Sequence, residues 1–168
     1  KIPGCTSQAW IISEKKDDNY FFTCDSDALI VKGGTFKESQ EELFCGNSGT
    51  TIRLLSGILG GLNITSCLTG DKSLLKRPMN RIIEPLKGMG INISCNNNNP
   101  PIKIGKSDNF KTLDYFLEIP SAQIKSSLLL GGICTNKKII INKKYKSRDH
   151  TEIMLKNPEM VSNIHSAY

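Results

Sequence analysis

The feature that most constrains this chain is an alternation: apolar stripes at helical spacing recur along it, and short aliphatic runs separate them. Ile52, Leu55, Leu59 and Leu62 lie three and four residues apart and predict a helix over 50–62, softened at its end by Gly60 and Gly61. Met79, Ile82, Ile83, Leu86 and Met89 repeat the stripe. That helix is expected to open at Arg77-Pro78, where proline suits a first turn, and to stop at Gly90 in a left-handed conformation. Ser121 caps a third helix with Ile124, Leu128, Leu129 and Ile133 on its apolar face. A fourth starts near Asp149, with Glu152 as its capping-box partner. Strands are expected at 28–32, 64–68, 91–94, 102–104, 115–119 and 138–141, and less clearly at 10–12 and 20–24 around a charged turn at 15–19. The asparagine run at 96–101 reads as a loop. Helices starting near 48, 77, 121 and 149, separated by strands, predict a mixed α/β (α+β) fold built from a repeating unit, each helix facing a sheet layer.

Size and composition agree with one folded domain: 168 residues, 38% of them hydrophobic and 23% charged. No apolar run approaches the roughly 20 residues of a membrane-spanning helix, and the opening KIPGCTSQAW carries no export signal. The expectation is a soluble, cytoplasmic protein without a membrane partner, or a plastid one if the source is a photosynthetic eukaryote. The net charge of +6, part of it in KKIIINKKYKSR at 137–148, favours anionic partners. Nucleic acid is disfavoured, because aromatic stacking platforms are lacking. Six widely spaced cysteines without a C-x-x-C pair, and only two histidines, argue against zinc and for free thiols in a reducing compartment. Neither a dinucleotide fingerprint nor a Gly-rich Lys-Ser/Thr phosphate loop is present.

Chemistry concentrates at the helix starts. Asn47, Ser48, Gly49, Thr50 and Arg53 mark the first, Lys76 and Arg77 the second, Ser121, Gln123 and Lys125 the third, and Ser147 and Arg148 the fourth. A helix N-terminus offers unpaired N–H groups and a partial positive charge, so such side chains beside it suit phosphate or carboxylate. Any one of these caps is ordinary. If all four helices run the same way, however, Arg53, Arg77 and Arg148 converge on a ligand with several negative charges. Asp71, Lys72, Asp149 and His150 are the candidates for acid or base work, and none forms an obvious nucleophile arrangement.

Four strings go further: GNSGTTIRLLSGIL (46–59), LTGDKSLLKRPMNRIIEPLKGMG (68–90), PSAQIKSSLLLGG (120–132) and SRDHTEIML (147–155). In content, order and spacing they resemble the 5-enolpyruvylshikimate-3-phosphate (EPSP) synthase family, most clearly over 29–155. The loop at 70–76 lacks the cysteine typical of the sister transferases acting on UDP-N-acetylglucosamine. The resemblance implies an enolpyruvyl transferase-like domain of βαβαββ repeats, an inside-out α/β barrel, here incomplete. It implies enolpyruvyl transfer from phosphoenolpyruvate to the 5-hydroxyl of shikimate 3-phosphate, with no metal or organic cofactor.

Position by position, the resemblance implies that Ser121, Ala122, Gln123 and Arg148 hold shikimate 3-phosphate. Gly49, Arg77 and Gln123 then line the phosphoenolpyruvate pocket, where glyphosate acts in the family. Asn47, Thr50, Arg53, Lys125 and Ser147 are secondary candidates. The family's Lys-Ser-x-x-x-Arg segment has no counterpart in residues 1–28, and the tail ending VSNIHSAY matches nothing recognised. The whole of 1–168 is therefore read as a single partial domain without the family's second domain or its acid and base groups. It is expected to be inactive alone, complemented by a second chain, or else a non-catalytic remnant that binds shikimate 3-phosphate.

Overall fold

The computed structural model describes residues 36–156 and, ahead of them, the backbone of two antiparallel strands, β1 (Phe22–Asp25) and β2 (Ala28–Val31). These overlap the expected strands at 20–24 and 28–32. The strand expected at 10–12, the turn at 15–19 and the last residues of the tail lie outside the described residues.

The next six elements form one βαβαββ unit: β3 (Leu43–Phe44), α1 (Gly49–Gly61), β4 (Ser66–Thr69), α2 (Asn80–Gly88), β5 (Ile93–Asn96) and β6 (Asn99–Ile104). Their sheet has the order β3-β4-β6-β5, with β3 parallel to β4 and the other neighbours antiparallel. A second run, β7 (Leu113–Leu117), α3 (Ala122–Thr135), β8 (Ile139–Lys143) and α4 (His150–Leu155), repeats the first four elements, and β7 and β8 pair in parallel as β3 and β4 do. The expected repeat is therefore visible as topology.

The α1 and α2 stripes fall where their periodicity puts them. Ile52 and Leu59 of α1 are buried, with Leu55 and Leu62 packed beside them, while Met79, Ile82, Ile83, Leu86 and Met89 are all sealed from solvent. They meet Leu68, Ile93, Ile102 and Ile104 from the sheet in one core. Gly90 has φ +84, the left-handed stop that its position required.

Four local expectations change. Helix α2 begins at Asn80 rather than at Arg77-Pro78, because a residue before proline is driven out of the helical region; Arg77 sits at φ −85, ψ 132. The asparagine run is a hairpin instead of a loop: Asn97 and Asn98 both take positive φ, giving the two-residue turn whose twist suits β5 and β6. Glu152 does not close a capping box, and the Asp149 side chain makes no cap bond; the glutamate turns instead to the buried Lys125. Helix α3 has no single apolar stripe, since it buries Lys125, Ser126, Ser127, Gly131 and Gly132 as well as Ile124 and Leu128 between its neighbours.

Helices α1 and α3 lie side by side and run the same way. Thr50 and Arg53 face Gln123, Gly57 faces Ser127, and Gly61 faces Gly131 and Cys134. A Cβ at Gly57 would stand 2.2 Å from the Ser127 carbonyl oxygen, so only glycine permits this approach. The Ser127 hydroxyl uses the proximity to donate to the Arg53 carbonyl at 2.7 Å. Similar ascending contacts align α2, from Pro78 beside Arg53 to Met89 beside Gly131, and the start of α4 is fixed to the first turns of α3 by the Thr151–Ser126 hydroxyl pair. All four helix N-termini consequently open on one edge.

Gly57→Ala is expected to lower the urea-unfolding free energy by about 1–3 kcal/mol, because backbone cannot yield to the added methyl. Gly88→Ala, whose Cβ would meet only Leu113 Cδ1 at 3.1 Å, is expected to be neutral or stabilising by up to ~1 kcal/mol through helix propensity. Equal effects of the two changes would contradict the backbone contact.

Candidate anion-binding edge at the helix N-termini

The first helix start is built from the β3–α1 turn. Ser48 caps α1 by accepting from the Thr51 amide at 3.1 Å, and Gly46, at φ 54, makes the bend before it. Gly49 follows as the first helical residue and is buried beneath two guanidinium groups. A Cβ there would lie 2.7 Å from Arg53 Nη1 and 3.0 Å from Arg77 Nη1.

Arg53, one turn into α1, is held from three directions. Its Nη1 donates to the Gly49 carbonyl at 3.1 Å and to Gln123 Oε1 at 2.9 Å, and its Nη2 to the Pro78 carbonyl at 3.3 Å. Gln123 in turn donates from Nε2 to Thr50 Oγ1 at 2.7 Å. Arg77 donates to Asn47 Oδ1. The expected residues Asn47, Gly49, Thr50, Arg53, Arg77 and Gln123 thus come together, linked across the starts of α1, α2 and α3. Ser121 caps α3 by accepting from the Ile124 amide at 3.3 Å. It shares a cleft of about 270 Å³ with Arg53, Pro78, Arg81, Gln123 and Ile124, and half-buried Ala122 follows it as the first residue of α3.

The electrostatics point one way. Burial, reinforced by Arg77 and then Arg81, holds the Arg53 pKa below the usual arginine range. Among the described residues, none of the three arginines forms an ion pair with a carboxylate. Partial positive charge from three helix N-termini adds to them. Such a site lowers its own free energy by taking up an anion. Arg81 was missed in the sequence: it lies in the first turn of α2, which starts at Asn80, while Arg77 is extended ahead of the helix, so no helical spacing links the two.

The fourth start forms a neighbouring group. Arg148 is exposed, and its backbone carbonyl accepts from Lys125 Nζ at 2.9 Å. Lys125 itself is buried and paired with Glu152, so its ammonium faces inward. Ser147 Oγ is enclosed without a hydrogen-bond partner among the described residues. Asp71 is occupied otherwise: its Oδ1 accepts from the Ser73 and Leu74 amides at 3.0 and 2.8 Å at the entry to a 3-10 turn, Leu74–Lys76. Lys72, Asp149 and His150 are exposed.

The sequence model of a family described as EPSP synthase (3-phosphoshikimate 1-carboxyvinyltransferase) matches residues 16–165, most of the chain. This chain belongs to the EPSP synthase family. A 3-phosphoshikimate 1-carboxyvinyltransferase of Thermodesulfovibrio yellowstonii is 50% identical over 138 residues, covering 79% of this chain and 32% of the relative. One from Coxiella burnetii is 47% identical over 136 residues, covering 79% and 31%. Among solved structures, an EPSP synthase from Acinetobacter baumannii superposes with a TM-score of 0.63 at 38% identity, over 75% of this chain and 28% of that one. The fold is accordingly the enolpyruvyl transferase fold, represented in part; this chain spans about a third of the length of the curated relatives it matches. No helix among the described residues is long and apolar enough to cross a membrane.

Gly49→Ala is expected to displace the ends of Arg53 and Arg77 and to lower unfolding free energy by about 0.5–1 kcal/mol, less than Gly57→Ala, since the methyl meets side-chain ends rather than backbone but loosens the Arg53 hydrogen bonds. Urea unfolding checks this, and a loss as large as that of Gly57→Ala would refute it.

Proposed function

We propose that this chain forms part of the substrate-binding half of an EPSP synthase. The edge takes shikimate 3-phosphate at Ser121, Ala122, Gln123 and Arg148, with Ser147 beside them, and phosphoenolpyruvate at Gly49, Arg77 and Gln123, with Asn47, Thr50 and Arg53 behind them. The observation that carries this reading is the cluster of Arg53, Arg77 and Arg81, unpaired with any carboxylate among the described residues, with Arg53 and Arg77 closing over a glycine that lets their guanidinium groups approach the start of α1.

The chemistry follows from what these groups can do. Attack of the 5-hydroxyl on the enolpyruvyl carbon joins two polyanions, so their mutual repulsion must be offset before they can meet. Fixed guanidinium and N–H donors supply that offset, hold the reacting atoms in register, and stabilise the phosphate that leaves. Gln123, bonded to both Arg53 and Thr50, ties the two subsites together. Proton transfer is a separate requirement, and among the described residues no carboxylate or histidine joins the Arg53–Gln123 network. We therefore assign the acid and base to protein outside this domain, supplied by a second domain or a second chain. The site would work in the cytoplasm, where Cys45, Cys67, Cys95 and Cys134 remain free thiols.

Calorimetric titration with shikimate 3-phosphate should show saturable binding, weakened about tenfold or more in Arg148→Ala and in Gln123→Ala by loss of bonds to a charged group. Absence of binding by the parent chain would overturn the assignment. Phosphate release from phosphoenolpyruvate, dependent on shikimate 3-phosphate, is expected to be undetectable with this chain alone. Turnover by the purified chain would refute the placement of acid and base elsewhere, and binding without turnover in any complemented state would favour a non-catalytic binding remnant.

A further inference from the structure

Lys125 lies in the first turn of α3 beside residues assigned to the ligand, yet its side chain is only 3% exposed. A buried ammonium is costly unless its protons are satisfied. Here they point inward: one partner is Glu152 of α4, and another is the Arg148 carbonyl at 2.9 Å. Glu152 keeps a second cation, Lys143 of β8, at 3.8 Å toward solvent. The second carboxylate oxygen, Oε2, is enclosed without a hydrogen-bond partner among the described residues, as is Ser147 Oγ.

The stretch between β8 and α4 has little else to hold it. Lys144, Tyr145, Lys146 and Arg148 are exposed, and α4 buries none of its residues. Among the described residues, the side-chain hydrogen bonds joining α3 to 144–152 are Lys125 to the Arg148 carbonyl and the Ser126–Thr151 hydroxyl pair at 2.7 Å. The second holds α4. The first acts directly on the backbone from which the Arg148 side chain departs.

We propose that Lys125 is a positioning residue, whose ion pair with Glu152 anchors its bond to the Arg148 carbonyl and so sets where Ser147 and Arg148 meet the ligand. It does not itself touch substrate. This rests on the reading of Arg148 as a shikimate 3-phosphate contact, but the position of the loop can be measured without any ligand.

The decisive variant is Lys125→Met/Glu152→Leu, which exchanges a buried ion pair for apolar groups of similar size and is expected to keep the thermal midpoint at or above the parent's. Backbone amide order parameters at 147–149 should fall below about 0.6 while those of α1 stay near about 0.85. Shikimate 3-phosphate affinity should fall about tenfold, and by less than about twofold when the same pair is changed in an Arg148→Ala background. Ser126→Ala/Thr151→Val, which loosens α4 without touching the Arg148 carbonyl, should leave affinity within about twofold of the parent. Should the double variant fail to fold, Lys125→Met alone carries the test, with Lys143 left to neutralise Glu152. Unchanged order parameters at 147–149 overturn the proposal whatever the titration shows, and so does an equal loss of affinity with and without Arg148. If the parent binds no shikimate 3-phosphate, the assigned site fails, and the order parameters at 147–149 still decide the role of Lys125.

Discussion

Gly57 and Ser127 bring α1 and α3 together backbone to backbone, and the site depends on that contact. With any side chain at Gly57 the helices would separate, and the Ser127 bond to the Arg53 carbonyl would lengthen with them. Gln123 could then no longer reach Arg53 and Thr50 together, since both bonds span the same interface one turn nearer the N-termini. A hydrophobic stripe alone would have fixed which faces meet but not how far apart they stand. Small residues set the distance here, and the distance sets the geometry of the cations.

The parallel arrangement carries an electrostatic burden that no carboxylate among the described residues neutralises at the arginines. Helix dipoles aligned side by side repel, and each N-terminus contributes roughly half a positive charge. Arg53, Arg77 and Arg81 add to it, and the Arg53 pKa lies below the usual arginine range through burial first and this crowding second. Marginally stable domains keep such an arrangement only where other contacts offset it. The sealed core of α2 against β4, β5 and β6 supplies that offset next to the strained edge.

Much of this was legible because local chemistry and tertiary structure agree. Ser48 and Ser121 cap the helices that their positions announced, and the stripes of α1 and α2 form the core. What could not be read depends on partners distant in sequence or on rules that compete. Pro78 looked like a helix opener, but its effect on Arg77 prevailed. Glu152 had the right spacing for a capping box, yet a buried ammonium 27 residues earlier in the chain attracts a carboxylate more strongly than exposed amides do. Lys125 carried no sign of burial, because lysine usually keeps its ammonium in water. Pro85 inside α2 left the helix intact, its flanks already fixed by buried Ile82, Ile83 and Leu86.

The β5–β6 hairpin has a consequence beyond its own turn. The Asn98 carbonyl at its tip accepts the Met79 amide at 2.6 Å, so the outer sheet grips the chain where α2 begins, two residues after Arg77. Most surface turns can lengthen by a residue during evolution without disturbing what lies beneath. This one cannot lengthen freely, because its length is copied into the placement of a guanidinium on the far side of a helix start. Indels, usually absorbed by loops, would here be transmitted to the cationic edge, making the hairpin tip a gauge of spacing rather than a decoration of the surface.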